Sequence, residues 1–85
     1  MRSITMYTKS FCPFCVMAKQ VLKSKGAEFQ EINIGKTPER RAEMIEAAGG
    51  ASTVPQIWIG DTHVGGCDEL MALERAGRLD EMLAA

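Results

Sequence analysis

Cys12 and Cys15 stand three positions apart in "YTKSFCPFCVMAKQVLKSKG" (residues 7–26), where a strand-like run gives way to a helix-like one. Two thiols at this spacing have three chemistries open to them: clipping a metal, closing a structural disulfide, or exchanging electrons with another sulfur compound. If Pro13 takes the first helical position, Cys12 becomes the N-cap and Cys15 the third residue of the helix. The Cys12 sulfur then occupies the place of a capping oxygen, facing the unpaired N–H groups of the first turn and the positive end of the helix dipole. Both favour a thiolate. Lys9 adds a nearby cation, and the Cys15 thiol can donate to the Cys12 sulfur. Cys12 is therefore the candidate nucleophile and Cys15, inside the turn, the thiol that resolves.

The competing chemistries have weaker support. A zinc site needs four ligands, and beyond the pair the chain offers only Cys67 and the lone His63, with no second paired motif. A static disulfide fits poorly with three cysteines, an odd count, in a chain without the marks of a secreted scaffold. His63, alternating with Val64, reads as an exposed strand residue, and Trp58 as packing.

The elements that must position this pair belong to one domain spanning residues 1–85, because 85 residues close one small core and leave no room for a linker. Ten basic against eleven acidic side chains leave almost no net charge, so nucleic acid is not an expected partner. No apolar run approaches 18 residues and no cleavable hydrophobic segment follows Met1, so membrane association is not expected and a cytoplasmic, reducing location is.

"SITMY" places Ile4 and Met6 on one face of a short strand and Thr5 and Tyr7 on the other. Phe14, Met17, Ala18, Val21 and Leu22 then follow helical spacing, with Lys23 and Lys25 in the last turn and Gly26 as the stop. "AEFQEINI" reads as a strand whose alternation slips phase, suited to a sheet edge. In "KTPERRAEMIEAAGG", Thr37 can cap, Pro38 suits the first helical position and Gly49 closes the helix. "PQIWIGDTHVGG" carries two β runs around the turn dipeptide Gly60-Asp61, and "CDELMALERAG" and "RLDEMLAA" read as two helical pieces broken at Gly77. A βαβ unit implies parallel pairing and the hairpin antiparallel pairing, so the expected α/β architecture is a four-stranded mixed sheet with helices on both faces. That arrangement is expected to bury Phe29, Ile57, Ile59, Leu70 and Leu73 together.

Three motifs in order, "CPFC" after the first strand, "TVP" at Thr53 to Pro55 and "GGCDEL" at Gly65 to Leu70, resemble the glutaredoxin family over nearly the whole chain, in its small bacterial dithiol form. The resemblance implies a thioredoxin fold, glutathione as reductant and co-substrate, no tightly bound cofactor or metal, and a cis peptide before Pro55 facing the active cysteine. Glutathione is an extended peptide that could hydrogen-bond to the backbone of Val54 as an added strand, and Thr53 matches the family's polar position beside the cis proline. Its γ-glutamyl end carries a carboxylate and an ammonium; a helix start at Gly66, Cys67 and Asp68 offers backbone donors for one and a carboxylate for the other. Asp68 acting only as a helix cap is the alternative. Lys9 and Arg41 match the family's basic positions for the glycyl carboxylate, with Arg40 adjacent as a possible substitute.

Phe14 stands where the family's commonest motif has tyrosine; the aromatic wall is kept and a hydroxyl lost, which implies tuning of the site. Cys67 is either packing at a helix start or a secondary oxidation site. The function implied is thiol–disulfide oxidoreduction: glutathionylated proteins reduced through Cys12 alone, protein disulfides through Cys12 and Cys15, by a monomer. Two alternatives remain: a dimeric module binding a glutathione-ligated [2Fe-2S] cluster through Cys12, against which Pro13 argues, and an electron donor served by thioredoxin reductase, against which "GGCDEL" argues.

Overall fold

The computed structural model describes residues 1–84. Strand β1 (Ile4–Thr8) leads into helix α1 (Pro13–Ser24) and strand β2 (Gln30–Asn33). A 3₁₀ turn (Pro38–Arg40) opens helix α2 (Arg41–Ala47), followed by the hairpin β3 (Gln56–Ile59) and β4 (Thr62–Gly65) and helices α3 (Cys67–Arg75) and α4 (Leu79–Leu83). The sheet order is β2-β1-β3-β4, with β1 parallel to β2 and antiparallel to β3, and β3 antiparallel to β4. The mixed sheet and the edge position of β2 follow the sequence reading, and the arrangement is that of the thioredoxin fold.

Alternation along β1 divides the core. Ile4 and Met6 face a cluster with Ala18 and Leu22 of α1, Ile57 and Ile59 of β3, Leu70 of α3, and Leu79 and Leu83 of α4. Tyr7 points the opposite way and packs with Ile32, Ile34 and Met44 of α2. Helices thus cover both sheet faces, and the end of β1 between them delivers the segment that carries Cys12.

Several expectations are corrected. Phe29 and Leu73 are only half-buried and pack against the first cluster from its rim. Phe14 and Met17 keep helical spacing but are 56% and 43% exposed, so the apolar stripe of α1 runs beyond the core into solvent. The second strand is shorter than the stretch that suggested it. Thr37 makes no cap; its hydroxyl donates to the Asn33 carbonyl at 2.8 Å, and the proline-led turn it precedes is 3₁₀ before it becomes α. The two helical pieces at the C-terminus form as expected, apart from Ala85, which lies outside the described residues. Gly60, at φ +59°, supplies the left-handed backbone that the hairpin turn requires.

Candidate active site

Helix α1 starts as its sequence dictates. Pro13 occupies the first turn, Cys12 is the N-cap in extended conformation, and its carbonyl accepts the first helical bond, from Val16 N at 3.1 Å. The capping acceptor is the thiol sulfur itself: Cys15 N donates to Cys12 Sγ at 3.2 Å. Cys12 is half-exposed while Cys15 is buried. Phe11 immediately before it adopts φ +58° and is wholly exposed, an uncommon conformation for a bulky residue that turns the chain into the helix.

The buried thiol of the motif is strongly perturbed. Burial, then the hydrogen bond with Cys12, push the Cys15 thiol up to about 12; the backbone N–H of Lys9, a charged Cys12 and the ammonium of Lys19 act more weakly on it. Lys19 follows Cys15 by one helical turn and pairs with Glu31 of β2, whose carboxylate also accepts from the buried Thr8 hydroxyl at 2.6 Å. Glu31 is held below its usual range because these bonds outweigh the burial that opposes them.

The Val54–Pro55 peptide is cis, and the Val54 carbonyl oxygen lies 4.0 Å from Cys12 Sγ. Among the described residues, neither the N–H nor the carbonyl of Val54 has a backbone partner. Two grooves flank this segment. One, of about 380 Å³, is lined by Phe14, Thr53, Val54, Pro55, Gly66, Cys67, Asp68 and Glu69. The other, of about 360 Å³, is lined by Lys9, Arg41, Thr53, Val54, Ser52 and Ile34. Lys9, Arg41 and Asp68, singled out in the sequence, therefore each line one groove or the other. Arg40 does not: its guanidinium is held by Glu43, Nε to Oε1 at 3.0 Å and Nη2 to Oε2 at 2.8 Å, and Glu43 also accepts from Tyr7 Oη at 2.6 Å.

At the start of α3 the N-cap is Gly66, so Asp68 occupies the second helical position and is not the cap. The capping is done by Glu69, whose Oε1 accepts from Gly66 N at 2.7 Å. This residue was missed, although Gly66-x-x-Glu69 has the spacing of a reciprocal cap. Gly65, at φ +113°, explains the double glycine: a Cβ there would come within 2.7 Å of the Glu69 carboxylate. Cys67 is buried, and its thiol is pushed up by burial, then by the charge of Asp68. Among the described residues no group of three or more His, Cys, Asp or Glu could hold a metal ion, and no helix is long and apolar enough to cross a membrane.

Comparison with known proteins gives a consistent result. Residues 4–64 match the family model described as Glutaredoxin. A glutaredoxin of Pseudomonas aeruginosa is 58% identical over 85 residues, covering all of both chains. The solution structure of a glutaredoxin from Brucella melitensis superposes with a TM-score of 0.84 at 54% identity, covering 98% of this chain and 89% of that one. A buckwheat glutaredoxin–glutathione complex superposes with a TM-score of 0.84 at 31% identity, covering 94% of this chain and 74% of that one.

Proposed function

The chain belongs to the glutaredoxin family and is a thiol–disulfide oxidoreductase, and from that premise we propose how its residues divide the work. Cys12 is the nucleophile. As a thiolate it attacks the glutathione sulfur of a protein–glutathione mixed disulfide, forming a Cys12–glutathione disulfide and expelling the protein thiolate, which takes up a proton. A second glutathione thiolate attacks the bound glutathionyl sulfur, releasing oxidised glutathione and the Cys12 thiolate. With a protein disulfide, Cys12 expels one client thiolate and forms a mixed disulfide with the client; Cys15 then attacks Cys12 Sγ, its thiol proton passing to a client thiolate, and the client leaves as a dithiol. Two glutathiones reduce the resulting Cys12–Cys15 bridge.

The observation that carries this reading is the Cys12 sulfur, capping α1 and 4.0 Å from the carbonyl of Val54, a residue that lines both a groove with acidic side chains and one with basic side chains. Glutathione would lie along Thr53 and Val54, its γ-glutamyl end toward Gly66, Cys67 and Asp68, its glycyl carboxylate toward Lys9 and Arg41, with Phe14 and Pro55 as apolar walls. Arg41 is preferred over Arg40, which is already committed to Glu43. The buckwheat relative, solved in complex with glutathione, supports the choice of ligand. The protein would act as a monomer in the cytoplasm, where the glutathione pool supplies electrons and clients are glutathionylated or disulfide-bonded proteins.

A coupled assay tests the reading: a glutathione mixed disulfide is offered with glutathione, glutathione reductase and NADPH, or with thioredoxin reductase and NADPH. Turnover is expected with the first system. Turnover with the second alone would overturn glutathione dependence in favour of the thioredoxin-reductase route.

A further inference from the structure

Gln56, the first residue of β3, is only 3% exposed, and a buried amide must place both its donor and its acceptor. Its Nε2 donates to the Thr53 carbonyl at 3.0 Å and lies 3.3 Å from Thr53 Oγ1. A carbonyl only accepts, so the amide nitrogen must face Thr53 and Oε1 must face away. There it meets His63 Nε2 at 2.7 Å, and the imidazole must carry its proton on that nitrogen. His63 is itself placed by stacking on Trp58, with ring centroids 4.6 Å apart and planes at 26°. Trp58 in turn meets the edge of Tyr7 at 5.4 Å. A polar chain thus runs from a hairpin side chain through a buried amide to the residue that borders both grooves.

Thr53 lies outside every strand and is exposed. Among the described residues, the bonds from Gln56 are the only ones that reach its polar groups. An apolar residue at position 56 would fill the same volume and leave this segment untethered beside Cys12.

We propose that Gln56 and His63 are positioning residues for glutathione: His63 fixes the Gln56 amide, and Gln56 fixes Thr53 in the backbone conformation that the ligand meets. The inference rests on the reading of Thr53 and Val54 as glutathione contacts. It requires no contact between Gln56 or His63 and the ligand, and the pair takes no part in sulfur chemistry.

Two variants and one titration test it. His63→Phe keeps a ring on Trp58 and removes the donor to Gln56, at an exposed site where folding is not at stake. Gln56→Met keeps volume and removes the amide's bonds to Thr53 and to His63. In the coupled assay each variant should raise KM for glutathione about three- to tenfold, the effect of one lost hydrogen bond, with kcat within about twofold. The rate at which iodoacetamide alkylates Cys12 should not change. In parallel, glutathione is titrated into the Cys12→Ser form of the protein while the amide resonances of Thr53 and Val54 are followed. Shifts there together with raised KM support the proposal. Shifts with unchanged KM in both variants overturn it and leave the groove reading intact. Absence of shifts overturns the groove reading and this proposal with it. A fall in kcat and melting temperature at constant KM would reduce the pair to packing.

Discussion

Two helices begin at the same cleft, each with a cysteine in or beside its first turn, and they use it in opposite ways. At α1 the cysteine is the N-cap, half-exposed, and its sulfur accepts the amide of Cys15. At α3 the cysteine is one position further on, buried, and the cap's amide is taken by the Glu69 carboxylate. One residue of register separates a sulfur that accepts the Cys15 amide from one that is buried. Of the two carboxylates in the first turn of α3, Glu69 is committed to the Gly66 amide, and among the described residues Asp68 has no hydrogen-bonded side-chain partner.

The strongest way to break this comparison is to exchange sulfur for oxygen at each helix start. Cys12→Ser should abolish both deglutathionylation and disulfide reduction in the coupled assay, whereas Cys67→Ser should retain both within about twofold. Substantial activity in Cys12→Ser, or its loss in Cys67→Ser, would reverse the two roles. Cys15→Ser sharpens the result by keeping deglutathionylation while losing most disulfide reduction.

A second contrast appears with pH. The Cys15 thiol is pushed up to about 12 by burial and its bond with Cys12, above the ordinary thiol value of 9.0, so the fold favours its protonated form. Its contribution to stability is complete below about 9 and is lost as pH climbs from there toward about 12. Brief alkylation followed by mass mapping should therefore leave Cys15 and the similarly raised Cys67 unlabelled at neutral pH and label them progressively in alkali. Equal labelling of all three cysteines at pH 7 would contradict the inequality of the sites.

At the start of α3 the comparison separates binding from capping. Asp68→Ala should weaken glutathione use by on the order of 1–3 kcal/mol, about five- to a hundredfold in its apparent constant, by removing a charge-assisted contact. Because Gly66 rather than Asp68 is the cap, stability should fall by no more than about 1 kcal/mol from the lost dipole interaction. Glu69→Ala should do the converse and on a smaller scale: about 1 kcal/mol of stability, from the lost bond to Gly66 N, with little change in glutathione kinetics. Melting temperature and glutathione dependence measured on both variants check the separation; a destabilised Asp68→Ala with unchanged kinetics would leave only the Gly66 and Cys67 backbone at that end of the groove.

The sequence was most readable where one local rule decided the outcome. Pro13 after Cys12 set the start of α1, and Gly60-Asp61 set the hairpin, because each is settled within four residues. It was less readable where a second element intervened. Phe14 and Met17 have core spacing, and only the path of the neighbouring helices leaves them in solvent. Thr37 has the chemistry of a cap, but the chain folds its hydroxyl back to Asn33. Arg40 and Arg41 are indistinguishable as neighbours in a charged run; it is Glu43, one turn on and bound to Tyr7, that claims Arg40. Gln56 and His63 gave no signal, since their link spans a hairpin and becomes visible only once its strands are paired.

Mapping of glutathionylation tests the central claim most directly. The Cys15→Ser variant, which cannot resolve its own mixed disulfide, is exposed briefly to oxidised glutathione at neutral pH, digested and mapped by mass spectrometry. A single glutathionyl adduct confined to Cys12 is the expected result, because that sulfur is a helix N-cap and half-exposed, whereas Cys67 is buried. An adduct on Cys67 in comparable yield, or none on Cys12, would contradict the account.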